Sequence, residues 1–223
     1  MSRTPGSRDG KGLREAIVLT ARGMNAAGIN RGMAGNVSAR VSGGFLITPS
    51  AMPYDDISPS DIVAVDDRDE PRSDPAPSSE WRFHREIYRQ RSDLDAVVHT
   101  HSSFATALAC LDRGIPAFHY MVAKAGGNDI RCAPYATFGT QELADHVVTA
   151  MVGRKACLLS HHGMIAANET LKSALALAIE VETLAEMYWC ALQIGEPTSL
   201  SEEEMAAVLV KFECYRSTAR SKR

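Results

Sequence analysis

The chain has 223 residues, 45% of them hydrophobic and 23% charged, which suits one large globular domain and excludes a mainly disordered polymer. Lysine and arginine (24) nearly balance aspartate and glutamate (27), so no polyanion-binding face is expected and nucleic acid is not an expected partner. The most apolar segment, Leu171 to Ile194, is interrupted by Lys172, Glu180, Glu182 and Glu186, so no membrane span is expected. The N-terminus lacks an apolar stretch behind its basic residues, and the five cysteines form no Cys-x-x-Cys pair. Reduced core thiols in a cytoplasmic protein are the expectation.

In chain order, the periodicity predicts a helix over 13–27 closed by Gly28. Short strands over 36–41 and 45–48 flank Ser42-Gly43-Gly44, a hairpin turn, and a further strand covers 61–65. A helix starts near Ser79, where serines free to cap precede Trp81, His84, Ile87 and Tyr88 at helical spacing. A buried strand over 95–100 and helices over 102–111 and 141–152 follow, the latter capped by Thr140. Strands over 156–160 and 164–167 lie on either side of His161-His162-Gly163. A long amphipathic helix runs to Ile194, and Ser201 to Glu204 has capping-box spacing for a last helix ending near Tyr215. Paired hairpin-like strands favour a single α/β layered domain with a largely antiparallel or mixed sheet and helices on both faces. The domain covers 12–215, with 1–11 and 216–223 read as polar, flexible tails.

Four of the seven histidines fall in two clusters, His99-Thr100-His101 and His161-His162. On a strand, residues two apart share a face, so His99 and His101 project together and can ligate one ion. Alternation lets one histidine of the second cluster join them, giving the three nitrogen donors of a catalytic zinc with an open position. A cupin would place an acid shortly after His-x-His, and 102–110 has none; an amidohydrolase barrel would carry the motif near its N-terminus. Glu80 stands at a helix start, where the dipole favours a carboxylate or an anion. Gly35-Asn36, Ser50-Ala51 and Ser78-Ser79 are small or polar loop positions able to converge on a phosphate.

Ala34-Gly35-Asn36-Val37-Ser38, Ile47-Thr48-Pro49-Ser50, Pro77 to His84, Val97 to His101 and His161-His162-Gly163 resemble, in order and spacing, the class II aldolase/adducin family. The likeness extends through His119-Tyr120-Met121, Ala125 to Asn128 and Cys132 to Thr140, covering about 13–215. It implies a zinc-dependent aldolase (Mn2+ or Co2+ as alternatives) cleaving a ketose 1-phosphate, L-fuculose 1-phosphate or a related deoxyketose 1-phosphate, to dihydroxyacetone phosphate and an aldehyde. Its zinc ligands fall on His99, His101 and His162, and its acid/base carboxylate, which can also occupy the metal, on Glu80. The phosphate pocket falls on Gly35, Asn36, Ser50, Ala51, Ser78 and Ser79, with Ala51 departing from the family's glycine. The catalytic tyrosine lent by a neighbouring subunit falls on Tyr120, with a C-terminal segment near 211–215 also reaching the site. A C4 homotetramer with interfacial sites is implied. Deoxyribulose- or methylthioribulose-type phosphates as substrates, same-fold 4-epimerases and dehydratases, and non-catalytic adducin-type scaffolds are the rival readings.

Overall fold

The structure, a computed structural model, describes residues 10–68, 70, 71 and 73–221, with the side chains of 11 and 216–221 excepted. It contains α1 (Gly10–Ala26), β1 (Asn36–Val41), β2 (Gly44–Ile47), β3 (Val63–Asp66), α2 (Trp81–Gln90), β4 (Ala96–Thr100) and α3 (Ser103–Ala109). Then come β5 (Cys132–Ala133), α4 (Gln141–Ala150), β6 (Ala156–Leu159), β7 (Gly163–Asn168), α5 (Leu171–Leu192) and α6 (Glu202–Ser221). Short 3-10 helices cover Pro59–Asp61 and Tyr120–Ala125. Parts of both expected tails are helical, since α1 begins at Gly10 and α6 continues past Tyr215 to Ser221; 1–9, 222 and 223 lie outside the described residues.

One seven-stranded sheet has the order β3-β2-β1-β4-β7-β6-β5. The pairs are antiparallel except β5 with β6, which is parallel, so the sheet is mixed as expected. The β1–β2 hairpin turns through Ser42-Gly43, where Gly43 has a φ of +79°. Thr140 caps α4 by accepting the Leu143 N–H at 3.3 Å. The Ser201–Glu204 box at α6 closes both ways, with Ser201 N donating to Glu204 Oε2 at 2.7 Å and Glu204 N to Ser201 Oγ at 3.2 Å.

Strand alternation sorts the apolar side chains into two cores, one on each face. Val37, Ala39, Leu46, Val98, Leu158, Met164 and Ala166 pack against Ile17 and Met24 of α1, Leu108 of α3 and Leu177, Val181 and Leu184 of α5. Phe45, Ile47, Val65, Val97, Leu159 and Ile165 face Phe83 and Ile87 of α2 and Leu143 and Val147 of α4. The expectation of core thiols holds only for Cys157: no disulfide joins the five cysteines, but Cys132 is half-buried and Cys110, Cys190 and Cys214 are exposed. No helix among the described residues is long and apolar enough to cross a membrane.

The register positions the chemistry. Asn36 at the start of β1 pairs with His99, and Met164 at the start of β7 pairs with Thr100, so three strand termini meet at one end of the sheet.

Candidate metal centre

His99 shares the face of Val97 on β4, and Phe83 of α2 meets its ring edge-on at 5.3 Å. Its Nδ1 lies 3.0 Å from the Met164 carbonyl, which only accepts, so Nδ1 carries a hydrogen and Nε2 is the ring nitrogen that faces Glu80 and His101. His101 follows the last residue of β4, yet its Nε2 reaches within 3.0 Å of His99 Nε2. The second cluster is not a strand end but the tight turn joining β6 to β7. There His161 takes a φ of +53° and points its ring at Tyr135, while His162 turns toward the other two. The ring centroids are 4.9, 4.9 and 4.8 Å apart with interplanar angles of 74°, 74° and 79°, close to a three-bladed arrangement.

Glu80 completes the group, and the donor atoms of Glu80, His99, His101 and His162 all lie within 4.8 Å of one another. It occupies the N-cap of α2 but makes no side-chain cap bond. The carboxylate turns inward, with Oε2 3.2 Å from His99 Nε2 and Oε1 3.0 Å from His162 Nε2. Asn36 Nδ2 donates to Oε2 at 2.9 Å, whereas Oε1 is buried without a hydrogen bond. Burial alone would push the Glu80 carboxyl up, but His99 and His162 outweigh it and hold it well below the usual carboxylate range. Burial, then the neighbouring imidazoles, pulls His101 down to about 4. Three converging imidazole nitrogens and a buried carboxylate oxygen without a hydrogen bond fit a divalent cation. The four residues can hold a metal ion of the nitrogen- and oxygen-ligated kind.

The loops expected to bind phosphate adjoin this group. Gly35 precedes β1 so closely against β4 that a Cβ there would lie 2.4 Å from the His99 carbonyl oxygen. Tyr54 donates its hydroxyl to the Gly35 carbonyl. A bridge between Pro49 and Pro77, with Ser78 N donating to the Thr48 carbonyl at 3.0 Å, holds 48–51 beside 76–79. Ser50 and Ser79 are exposed and Ser78 is buried, its Oγ accepting from Glu80 N at 3.4 Å. Ala51 has a φ of +54°, a left-handed backbone that glycine adopts without strain and alanine does not. Asn36, grouped by the sequence with the phosphate loop, commits its side chain to Glu80 and, through Oδ1 at 2.6 Å, to His84. Tyr120 is not in the four-residue group; it opens the second 3-10 helix, 49% exposed, with its ring 6.5 Å from Phe212.

Three supporting residues escaped the sequence reading. His84 and Ser38 lie on the core-facing side of α2 and in β1, where a polar residue in an apolar pattern is the available signal. Glu182 was visible only as a charge interrupting an apolar run. Its carboxylate accepts from Ser102 Oγ at 2.6 Å, Phe104 N at 2.8 Å and Ala105 N at 2.9 Å, pinning the chain just after His101.

Residues 15–189 match the family model described as Class II Aldolase and Adducin N-terminal domain. The chain belongs to this family. It is 57% identical to a 5-methylthioribulose-1-phosphate/5-deoxyribulose-1-phosphate aldolase of Rhodospirillum rubrum, over 96% of each chain. It is 51% identical to L-fuculose phosphate aldolase of Escherichia coli K12, over 91% of this chain and 95% of that one. A solved L-fuculose 1-phosphate aldolase superposes with a TM-score of 0.87 at 38% identity, covering 93% and 98%. These relatives are aldolases, that is, lyases, and the fold is the class II aldolase fold.

Proposed function

We propose that the protein is a zinc-dependent aldolase that reversibly cleaves a deoxyketose 1-phosphate between C3 and C4, giving dihydroxyacetone phosphate and an aldehyde. The observation that carries the reading is the convergence of His99, His101, His162 and Glu80 on one point. Bound there, a divalent metal supplies a Lewis acid for the negative charge that develops as the bond breaks. Glu80, ionised and with Oε1 free of hydrogen bonds, delivers and removes the proton on the dihydroxyacetone phosphate carbon. The C4 hydroxyl loses a proton in cleavage and regains it in synthesis, a task for the Tyr120 phenol. Tyr120 stands half-exposed beside Phe212 and outside the group formed by its own chain, which supports its use by a neighbouring subunit of a C4 homotetramer.

The phosphate is held by the 35–36, 50–51 and 78–79 loops, where hydroxyls and backbone N–H groups adjoin the metal group. Between the two aldehyde classes, the 57% identity over nearly the whole chain favours a 5-deoxypentulose 1-phosphate over L-fuculose 1-phosphate. Cysteines not joined in disulfides suit a cytoplasmic enzyme.

The test is release of dihydroxyacetone phosphate from 5-deoxyribulose 1-phosphate and from L-fuculose 1-phosphate, each with chelator and with zinc restored. Chelator-sensitive release, faster from the pentulose, is expected. Metal-replete protein that releases no dihydroxyacetone phosphate from either sugar refutes the aldolase reading.

A further inference from the structure

Behind Glu80 lies a run of buried side chains to which the chemistry above gives no task beyond the phosphate loop that includes Asn36. Tyr88 OH is 2.7 Å from Ser38 Oγ, Ser38 Oγ is 2.7 Å from His84 Nδ1, and His84 Nε2 is 2.6 Å from Asn36 Oδ1. Asn36 Nδ2 then donates to Glu80 Oε2. Asn36, Ser38, His84, Tyr88 and Glu80 are all buried, so hydrogen bonds lost here are not replaced by water.

The direction of every hydrogen in this chain follows from its end. Asn36 presents its NH2 to Glu80, so its oxygen is the atom left for His84. That oxygen accepts only, so His84 Nε2 carries the hydrogen. Burial among Phe45, Phe83 and Tyr88, followed by the nearby His99, pulls His84 down to about 3, so the ring is neutral and Nδ1 is an acceptor. Ser38 therefore donates to Nδ1 and accepts from the Tyr88 hydroxyl. No member can reverse without setting two acceptors or two donors against each other.

We propose that His84 is a positioning residue for Glu80: acting through Asn36, it locks the amide orientation that holds the carboxylate by Oε2 and keeps Oε1 turned to His162 Nε2, 3.0 Å away. A carboxylate not held in this way can rotate about its last bond and offer either oxygen. The inference rests on the aldolase reading for the task Glu80 performs, but the directed chain itself is a property of the protein without metal or substrate.

The test uses the full chain with two substitutions. His84→Leu fills the volume without a donor, while His84→Gln returns an amide N–H toward Asn36. The step read is exchange of the dihydroxyacetone phosphate carbon-bound hydrogen with deuterated water, which needs Glu80 but no aldehyde. Expected are a neutral, Nε2-protonated His84 by ring nitrogen shifts in the metal-free wild type, full zinc content in both variants, a loss of exchange of about 10- to 100-fold in His84→Leu, and substantial rescue in His84→Gln. An Nδ1-protonated or charged ring in the wild type overturns the proposal. So does wild-type exchange in His84→Leu, or a His84→Gln variant as slow as His84→Leu. Metal-replete wild type that catalyses no exchange instead refutes the aldolase reading, and the ring-nitrogen measurement then decides the chain's direction alone.

Discussion

Burying a neutral histidine ties stability to pH, and His84 offers a clean measure of it. The ring is fully buried, stacked on Phe83 at 4.7 Å and lying 6.4 Å from Phe45, with Ser38 and Asn36 as its hydrogen-bonding partners. In the unfolded chain it takes up a proton below its ordinary value of 6.5; in the folded protein it resists until about 3. Between those values the unfolded state binds more protons, so stability is undiminished above pH 6.5 and falls as the pH drops toward 3. The slope from one such group is about 1.4 kcal/mol per pH unit, or about 2.5 kcal/mol between pH 6.5 and about pH 4.5. His101 and Glu80 also titrate differently on folding, so the measurement is a difference between wild type and His84→Gln, which keeps a donor but has nothing to titrate. Urea unfolding of metal-free protein at a series of pH values should give two curves that converge as the pH falls. Parallel curves across this window would refute the buried, neutral ring.

Ala51→Gly should stabilise the protein by about 0.5–1 kcal/mol, raising the midpoint of thermal unfolding by about 1–4 °C, because relief of the left-handed alanine exceeds the entropy cost of glycine. Gly163→Ala should weaken zinc binding about 10-fold or more in a chelator competition, because the new Cβ would sit 2.5 Å from the Thr100 carbonyl oxygen and 3.0 Å from His101 Cδ2. Tyr120→Phe should depress turnover about 10²- to 10⁴-fold while leaving zinc content intact; unchanged turnover removes the phenol from the reaction.

What the sequence reveals here is what short-range periodicity encodes. The β1–β2 hairpin was legible because Gly43 supplies the positive φ that its turn requires, and α4 and α6 because Thr140 and Ser201 cap them as their spacing suggests. Strand β5 was not legible: Cys132–Ala133 is two residues long and has no period to detect. The exposed cysteines were misjudged because apolar neighbours in the sequence do not mark a buried helix face: Leu111, Trp189 and Tyr215 beside them are exposed as well. His-x-His placed two donors in common reach, but alternation could not select between His161 and His162, since both lie in a turn where that rule does not operate. Glu80 was ambiguous for a related reason. A carboxylate at a helix N-terminus ordinarily serves the dipole, and only the inward rotation of this one, away from the first-turn N–H groups, separates the two readings.

The centre's geometry depends on side chains that are missing as much as on those present. Gly35 and Gly163 flank the end of β4 from opposite sides, one against the His99 carbonyl and the other against that of Thr100. A Cβ at either position would fall within 2.5 Å of a backbone oxygen, so relief would have to come from the strands rather than from a rotating side chain. The two neighbouring backbones therefore clasp His99-Thr100-His101 directly. From below, Glu182 fixes the following turn with both carboxylate oxygens. Donor atoms held by backbone contacts lose little freedom when a cation binds, which is the preorganisation a metal-assisted lyase requires. The same rigidity explains why the sequence alone could suggest a metal yet not its position: the clasp is made between β1, β4 and β7, segments joined by register rather than by neighbourhood in the chain.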